Sequence, residues 1–318
     1  MQHTDARLTS AAGAGLVIIA AGLWATVGVA VQLVPEADHA PPEILGLART
    51  MLAGPLILFL AALGRRAVLR PLMGLHPGRL MELSVAGVVF QICLFRAFDL
   101  LGVTLTVVLT VCLPPLMAVA WSLRKGAAPG PGALGALGLA VAGLGLCSAE
   151  GLFGRAGSAD LAGLCLAVLG SAAFVWMSDA ARDLSRAAAP MVVAGAGLSL
   201  SGLIFCVVTP LVLPDPLPML ENLSHSAGFW GLIFYLALVP TALAYVTYCA
   251  GMARCQSTAV GLTASMIEPA IAALLAMAVL DETLTPAQLA GSGLMALAMV
   301  LLVRAEAPAQ AMRRSPSP

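Results

Sequence analysis

The sequence predicts an all-α integral membrane protein with ten transmembrane helices, arranged as two inverted repeats of five helices. Hydrophobic residues make up 60% of the 318 residues, and charged residues only 10%. A soluble domain carries about 25% charged residues, because its surface faces water. In addition, apolar residues occur in long runs, which are separated by segments rich in polar residues, Pro and Gly. Lipid is therefore the expected surrounding of most of the chain.

The ten predicted spans follow from the length of these runs. A helix that crosses a membrane needs about 20 mostly apolar residues. The spans are 12–34, 43–63, 80–101, 103–123, 131–149, 159–180, 189–212, 228–250, 257–280 and 286–303. They divide into a first five-helix unit at 12–149 and a second at 159–303. The first run exceeds the apolar region of a signal peptide, about 7–15 residues, so it is expected to be a span.

The basic residues indicate how the chain is oriented. Most of the Lys and Arg residues fall in alternate connections when the N-terminus is placed in the cytoplasm. Cytoplasmic loops of membrane proteins carry an excess of these residues. The opposite connections carry mainly acidic residues, including Glu36, Asp38 and Asp215. The alternation supports the span count and predicts a multi-pass protein of a bacterial-type inner (plasma) membrane, with both termini cytoplasmic.

A weak internal repeat relates the two units at an offset of 154 residues. Sparse matches and a shared mid-helix proline connect Gly87, Gln91, Thr104, Pro115 and Ala118 with Thr241, Tyr245, Thr258, Pro269 and Ala272. Because each unit has an odd number of spans, the second unit must lie inverted in the membrane relative to the first. Inverted repeats are typical of transporters that work by alternating access.

Neither a cofactor nor a metal ion is expected. The seven cysteines form no C-x-x-C pair and the four histidines lie in polar connections, so no cluster has the spacing of metal ligands. A net charge of zero gives no reason to expect nucleic acid as a partner. The only lysine, Lys125, is not in the G-K-[ST] of a Walker A loop, which argues against an ATP-driven pump.

Three motifs in the second unit resemble the second EamA domain of the drug/metabolite transporter (DMT) superfamily. They are T-A-x-A-Y at 241–245, E-P at Glu268-Pro269 and the acidic turn Asp281-Glu282. In the first unit, Pro114-Pro115 occupies the place of E-P and no acidic turn follows. Arg49 fits an arginine that is often seen in the second helix of the family. The resemblance extends over nearly the whole chain.

The resemblance implies a ten-helix inverted-repeat exporter of amino acids, amines or related metabolites. Together with the inverted repeat and with Glu268 as a candidate proton carrier, it leads us to predict a secondary transporter that works by alternating access and is coupled to protons. Its partners are a small-molecule substrate and the lipid bilayer, and a homodimer is one possible assembly. A drug, sugar or nucleotide derivative is the alternative substrate. A membrane-embedded enzyme and a channel are rival classes, although the chain has no H-E-x-x-H or G-x-S-x-G motif and no ring of like charges.

Two charged residues inside spans are candidate binding residues. Glu268 lies near the middle of span nine, where a charge costs about 2.5–3.5 kcal/mol, and is predicted to bind a substrate ammonium group or a coupling proton. Its alternative role is structural, as a hydrogen-bond partner of backbone groups freed by Pro269. Arg49 is predicted either to hold a substrate carboxylate or to extend outward and pair with an acid such as Glu43.

Helix faces predict further residues of a cavity lined by spans one, three, four, six, eight and nine. Ser265 shares a face with Glu268, and Tyr245 shares one with Tyr248 in span eight. The repeat places Gln91 on the equivalent face of span three. Ordinary helix packing is the alternative for these side chains.

Trp24, Trp176 and three prolines complete the candidate site. Both tryptophans lie mid-span, unlike the interfacial tryptophans of membrane proteins, and are predicted to wall the cavity. Pro114, Pro115 and Pro269 are predicted to break helices at matched depths in the two units and to act in the moving parts of the transporter. The alternative for the prolines is a static kink.

Overall fold

The computed structural model describes residues 2–35, 40–64, 72–124, 126, 129–149, 161–213, 221, 225–281 and 283–306. All regular secondary structure in these residues is helical. The helices are α1 (Gln2–Gln32), α2 (Pro42–Gly64), α3 (Pro77–Leu101), α4 (Val103–Arg124), α5 (Pro131–Cys147), α6 (Leu161–Ala187), α7 (Pro190–Val212), α8 (Ala227–Arg254), α9 (Thr258–Val279) and α10 (Pro286–Glu306).

Most of these helices are long and apolar enough to cross a membrane. Within the described residues, nine helices meet that condition, and α5, at 17 residues, is a shorter apolar helix. Each of the ten predicted spans overlaps one helix. The all-helical, membrane-type character of the prediction is thus confirmed, and the described chain holds nine or ten spans, depending on whether α5 crosses the membrane.

Local sequence signals set several helix boundaries. Pro77, Pro131 and Pro190 are the first residues of α3, α5 and α7, a position where the missing N–H costs no helical hydrogen bond. Gly102 alone connects α3 to α4 and has a φ of 75°, which glycine adopts without steric cost. This conformation explains how two long helices are joined by so short a turn.

Four helix pairs form the most extensive packing: α3 with α6, α2 with α7, α5 with α10, and α1 with α8. Glycines allow the closest approaches. A Cβ atom built on Gly13 of α1 would lie 2.8 Å from the carbonyl oxygen of Gly251 of α8, and a Cβ on Gly143 of α5 would lie 2.8 Å from that of Gly291 of α10. Small residues at such contacts let membrane helices gain dispersion energy over a large area.

Two helices of the second unit are irregular. In α8, residues Ala237–Leu243 form a π-helical segment around Pro240. Helix α9 consists of two segments, Thr258–Ser265 and Glu268–Val279, which are separated by a turn at Met266 and Ile267. A proline within a helix and a π segment are both known causes of bending.

The predicted break at Pro114-Pro115 is wrong. Helix α4 continues through both prolines from Val103 to Arg124. The chain is interrupted only at the matching position of α9, immediately before Glu268-Pro269. Proline removes one helical hydrogen bond but permits a continuous helix in a membrane protein when neighbouring groups satisfy the freed carbonyl.

Described arginines collect at one end of the helix bundle. They are Arg79 at the start of α3, Arg124 at the end of α4, Arg182 and Arg186 in the last turns of α6, Arg254 at the end of α8 and Arg304 near the end of α10. We call this the arginine-rich end. Arg96, in the last two turns of α3, lies toward the opposite end and pairs with Glu43 at 3.1 Å.

Candidate functional site

A central cavity of about 570 Å³ lies among seven helices. Six of them, α1, α3, α4, α6, α8 and α9, are those predicted to line it, and α2 contributes Arg49 in addition. A volume of this size suits a small organic solute. Most lining side chains are apolar, so the few polar ones decide which solute is held and how it is oriented.

The cavity brings together nine of the residues that the sequence singled out. They are Trp24, Arg49, Gln91, Pro114, Pro115, Tyr245, Ser265, Glu268 and Pro269. These residues come from α1, α2, α3, α4, α8 and α9, and they are separated by as many as 245 positions in the chain, from 24 to 269. Their convergence on one space makes the cavity the candidate substrate site.

Glu268 opens the second segment of α9 and lines the cavity. Among the described residues it has no hydrogen-bond or ion-pair partner. The backbone contacts that a purely structural carboxyl would make are therefore not formed. A carboxyl that faces a cavity with its oxygens unused can accept hydrogen bonds from a bound solute or take up a proton.

Arg49 also lines the cavity, and its Nη2 atom donates a hydrogen bond to Oε1 of Gln91 at 2.5 Å. The predicted pairing of Arg49 with Glu43 does not occur, because Glu43 pairs with Arg96 instead. Arginine has five N–H donors, and the bond to Gln91 is the one that the described residues provide for Arg49. The remaining donors are available to a ligand.

The two charges lie on different walls and do not pair with each other. No ion pair joins Arg49 to Glu268 within the described residues, and Tyr245 lines the same cavity as both. The ring of Tyr245 packs edge-on against Trp24, at a centroid distance of 5.5 Å. A ligand that bridges the two walls would contact a cation, an anion and a phenol hydroxyl group.

Aromatic side chains form much of the remaining wall, and sequence reasoning missed four of them. Phe90 and Phe174 stack at a centroid distance of 4.7 Å, while Phe95 and Phe98 lie further along α3. Phe90, Leu94 and Phe98 recur every four residues next to Gln91. That helical spacing would have indicated Phe90 and Phe98 once Gln91 was placed in the cavity.

Two predicted cavity residues lie elsewhere. The prediction for Trp176 is wrong, because its side chain is 67% exposed on the outside of the bundle. Tyr248 is buried behind Trp24, at a centroid distance of 5.1 Å, and its hydroxyl group donates to Oγ of Ser178 at 2.6 Å. Tyr248 therefore supports the cavity wall without lining the cavity.

The cavity is asymmetric along the bundle axis. In one direction it reaches the exposed Gln32 at the end of α1, and it also includes Phe98 and Ala276 near the ends of α3 and α9. Toward the arginine-rich end, described residues line a second space of about 20 Å³, a small void that shares Gln91 and Tyr245 with the cavity. A void of that size holds about one water molecule and is too small for an organic solute, so we call this the closed end.

Metal chemistry has no visible support in the described residues. No group of three His, Cys, Asp or Glu side chains there could hold a metal ion. All seven cysteines are free thiols. The polar groups of the cavity suit hydrogen bonding and charge pairing with an organic solute.

Comparisons with known proteins connect this arrangement to transport. The model of the EamA-like transporter family matches residues 158–304. An uncharacterized transporter of Bacillus subtilis (strain 168), YwfM, is 25% identical over 292 residues, which cover 90% of this chain and 92% of the relative. A protein crystal structure with 18% identity aligns at a TM-score of 0.75 over 92% of this chain and 97% of its own. That likeness shows a shared fold.

Proposed function

We propose that this multi-pass membrane protein, whose residues 158–304 match the model of the EamA-like transporter family, is a secondary transporter that exports amino acids or related amines by alternating access. One observation carries the proposal. A cavity with largely apolar walls presents one basic side chain, Arg49, and one acidic side chain, Glu268, and no ion pair joins them within the described residues. An α-amino acid carries the two opposite charges that would satisfy both groups.

The desolvation cost of the two charges favours such a ligand. A charged group that loses water without gaining a partner is costly, and hydrogen bonds between charged groups are about twice as strong as neutral ones. The guanidinium fork of Arg49 matches a carboxylate, and the carboxylate of Glu268 matches an ammonium group. The aromatic walls accommodate a hydrophobic side chain between these two anchors.

Proton coupling follows if the carboxyl group of Glu268 binds either a proton or the ammonium group of the substrate. A proton and a substrate ammonium group cannot both occupy Glu268, so binding of one displaces the other. Exchange of this kind on a single carboxyl produces antiport, in which a proton moves inward as the substrate moves outward. Nothing more than Glu268 and access from alternate sides is required.

Two inverted five-helix repeats, 12–149 and 159–303, are part of the proposal. In these repeats, each helix of the first unit corresponds to the helix five places later, so that α1 corresponds to α6 and α5 to α10. When each helix is replaced by its counterpart, the pair α3–α6 becomes the pair α8–α1. The pairs α2–α7 and α5–α10 each become themselves. Because these four are the most extensive pairs in the bundle, the packing has the pseudo-two-fold pattern that inverted repeats produce.

The arginine distribution supports an orientation with both termini in the cytoplasm of a cell whose inner membrane holds the protein. Among the described residues, Arg79, Arg124, Arg182, Arg186 and Arg304 all lie at one end, as cytoplasmic ends of membrane proteins do. In this orientation the cavity faces outward and the closed end faces the cytoplasm. The conformation is then that of an exporter about to release its substrate.

The test is a counterflow assay with the purified protein in liposomes. Three matched solutes serve as competitors: a hydrophobic α-amino acid, the amine that lacks its carboxylate, and the acid that lacks its amino group. The amino acid is expected to compete best, with each analogue about tenfold weaker, because each leaves one buried charge unpaired. Equal competition by all three, or by none, would contradict the proposal.

Two variants test which residue binds which charged group of the substrate. Glu268→Gln is expected to abolish flux driven by a pH gradient, while Arg49→Gln is expected to remove the preference for the amino acid over the amine. Asp99→Asn is the matched control, since Asp99 is exposed and lies outside the cavity. Unchanged gradient-driven flux in Glu268→Gln would remove that residue from the mechanism.

Organic cations are the second candidate substrate class. Phe90, Trp24 and Tyr245 line the same cavity as Glu268, and the faces of aromatic rings attract cations. If organic cations are the substrates, the amine would compete as well as the amino acid does. The Arg49→Gln variant would then transport the amine at the parental rate. The competition assay therefore separates the two classes.

A further inference from the structure

A polar cluster closes the arginine-rich end, outside the cavity. Asp179 of α6 accepts hydrogen bonds from Nη2 of Arg79 in α3 at 3.3 Å and from Oγ1 of Thr258 in α9 at 2.8 Å. Asp183, one turn later, pairs with the same guanidinium. The carboxylates of α6 therefore tie together the first turns of α3 and α9.

The turn between α8 and α9 is fixed by the same face of α6. Arg186 donates from Nη2 to the carbonyl oxygen of Cys255 at 3.0 Å and from Nε to that of Ala253 at 3.1 Å. Arg182 donates from Nε to Cys255 at 3.3 Å. Arginine suits this position because its fork reaches several carbonyls at a helix end.

The cluster neighbours the small void on two helices, because Leu83 lies one turn after Arg79 in α3 and Met177 and Ala181 flank Asp179 in α6. Gln91 and Tyr245 separate the cavity from the void, which Met177, Ala181 and Cys249 also line. The proposed path toward this end runs through the void and then past the cluster. Opening the path requires the turn between α8 and α9, or the start of α9, to move away from α6.

A short helical segment connects the cluster to the cavity. Thr258, which binds Asp179, begins the eight-residue segment Thr258–Ser265. The segment ends at the turn of Met266 and Ile267, beside Glu268. A rigid helix with a hinge at its cavity end can transmit a change at Glu268 to its other end, about 12 Å away at 1.5 Å per residue.

A second connection runs through the aromatic wall. Tyr248 packs on Trp24, which lines the cavity, and its hydroxyl group binds Ser178, the neighbour of Asp179 in α6. The position of Asp179 is therefore set by contacts that begin at the cavity wall. Both connections end on the same carboxylate.

We propose that Asp179 is the latch of the closed end: its bonds to Arg79 and Thr258 keep the path shut, and transport requires these bonds to break while Thr258–Ser265 swings about the turn at Met266 and Ile267. The inference rests on the proposed transport through the cavity. It assigns the opening step to one carboxylate and one short segment.

Cys249 provides the measurement, because its thiol lines the void and is 2% exposed. In a variant whose single cysteine is Cys249, a membrane-impermeant maleimide is added on the arginine-rich side of membrane vesicles. The labelling rate reports how often the closed end opens. Adding the reagent on the opposite side reports access through the cavity.

Thr258→Val removes the hydroxyl group at nearly constant shape, and Thr263→Val is the matched control, because Thr263 donates only to Ala259 in its own helix. Thr258→Val and Asp179→Asn are expected to raise labelling from the arginine-rich side roughly 2- to 12-fold, the factor expected for one hydrogen bond. Thr263→Val should match the parent protein, and labelling from the opposite side should stay equal or fall.

Two outcomes would overturn the latch. One is labelling of Thr258→Val and Asp179→Asn at the parent rate. The other is a rise from both sides together, which indicates general loosening. Because labelling needs no substrate, either result leaves the proposed function standing if counterflow persists. Absence of binding and counterflow for every solute tested would instead remove the proposed function.

Discussion

Arg49 and Glu268 show what a charged residue in a membrane helix can indicate. A charge at the centre of a span costs about 2.5–3.5 kcal/mol on insertion scales. In this structure both side chains line a cavity and leave most of their hydrogen-bonding groups unused. A partner from outside the protein would compensate this cost, and the sequence alone singles out the two residues as candidates for binding it.

Gly28 gives a prediction about substrate size. It lines the cavity, and a Cβ atom placed on it would have no atom within 4 Å. Gly28→Phe is therefore expected to insert a ring into free space, keeping the fold but weakening binding of bulky substrates roughly tenfold. Competition assays with a small and a large amino acid measure this change in selectivity.

Gly15→Phe is the control for this substitution. Gly15 is in the same helix and also has open space around a built Cβ atom, but it does not line the cavity. Normal selectivity is expected for Gly15→Phe. If Gly28→Phe transports large and small substrates in the parental ratio, the cavity does not hold the substrate at this level.

Polar cavity residues could be predicted from sequence on a physical ground, whereas the placement of Trp176 could not. Gln91, Tyr245 and Glu268 stand out in apolar runs because lipid would not satisfy their hydrogen-bonding groups. Trp176 gave no such signal: an indole ring is stable both against lipid and in a protein interior. Its exposure to the outside is decided by the rotation of α6 in the bundle.

Helix α9 is the element in which sequence and site are most closely linked. Pro269 has no N–H group, so the carbonyl oxygen of Ser265, four residues earlier, loses its helical partner. Ser265, Glu268 and Pro269 all line the cavity. The proline thus interrupts the helix at the position where the carboxyl group of Glu268 faces the cavity. In α4, the residues four positions before Pro114 and Pro115 are Thr110 and Val111, which also line the cavity.

Pro269→Ala tests the role of this interruption. Restoring the N–H group is expected to let the two segments of α9 straighten into one helix, which turns Glu268 away from its present position. Counterflow should fall several-fold, while the midpoint of thermal unfolding in detergent should stay equal or rise. The thermal result separates a lost site from a lost fold.

Pro55→Ala is the corresponding control in α2. Pro55 also lies inside a helix, but it is exposed and does not line the cavity. Its replacement is expected to leave counterflow at the parental level. Equal effects of Pro55→Ala and Pro269→Ala would mean that the break in α9 has no specific part in transport.

Sequence reasoning found the prolines but assigned the wrong conformation to one pair. Pro114-Pro115 and Pro269 occupy matched positions, yet α4 is continuous while α9 is interrupted. The π segment around Pro240 was not predicted at all. A proline in a membrane helix fixes which hydrogen bond is lost, but neighbouring helices decide whether the chain bends, changes register or stays straight.

The whole bundle has one accessible end and one closed end. The cavity extends to Gln32 at one end, while the bonds of Asp179 and Arg186 hold the other end together. Alternating access requires a second conformation in which these roles are exchanged. The proposed inverted repeats would allow that exchange, because each unit could adopt the conformation of the other.

The orientation of the bundle can be checked with two single-cysteine variants. Gly130→Cys lies in the exposed turn between α4 and α5 at the arginine-rich end, and Thr283→Cys lies in the exposed connection between α9 and α10 at the opposite end. In intact cells, an impermeant maleimide is expected to label Thr283→Cys only. Inverted vesicles should show the reverse pattern, and labelling of Gly130→Cys in intact cells would refute the cytoplasmic assignment of that end.

The sequence by itself determined that this chain is a membrane protein, where its apolar helices lie, and that Glu268, Gln91 and Tyr245 need polar surroundings. These conclusions depend on transfer of side chains between water and hydrocarbon, which is a property of each segment. Only the tertiary structure decided which way Trp176 faces and which end is closed. It also decided that Glu43 pairs with Arg96, while Arg49 donates a hydrogen bond to Gln91. Those outcomes depend on how helices rotate and pack against one another, and hydrophobicity does not fix them, because lipid and protein interior are almost equally apolar.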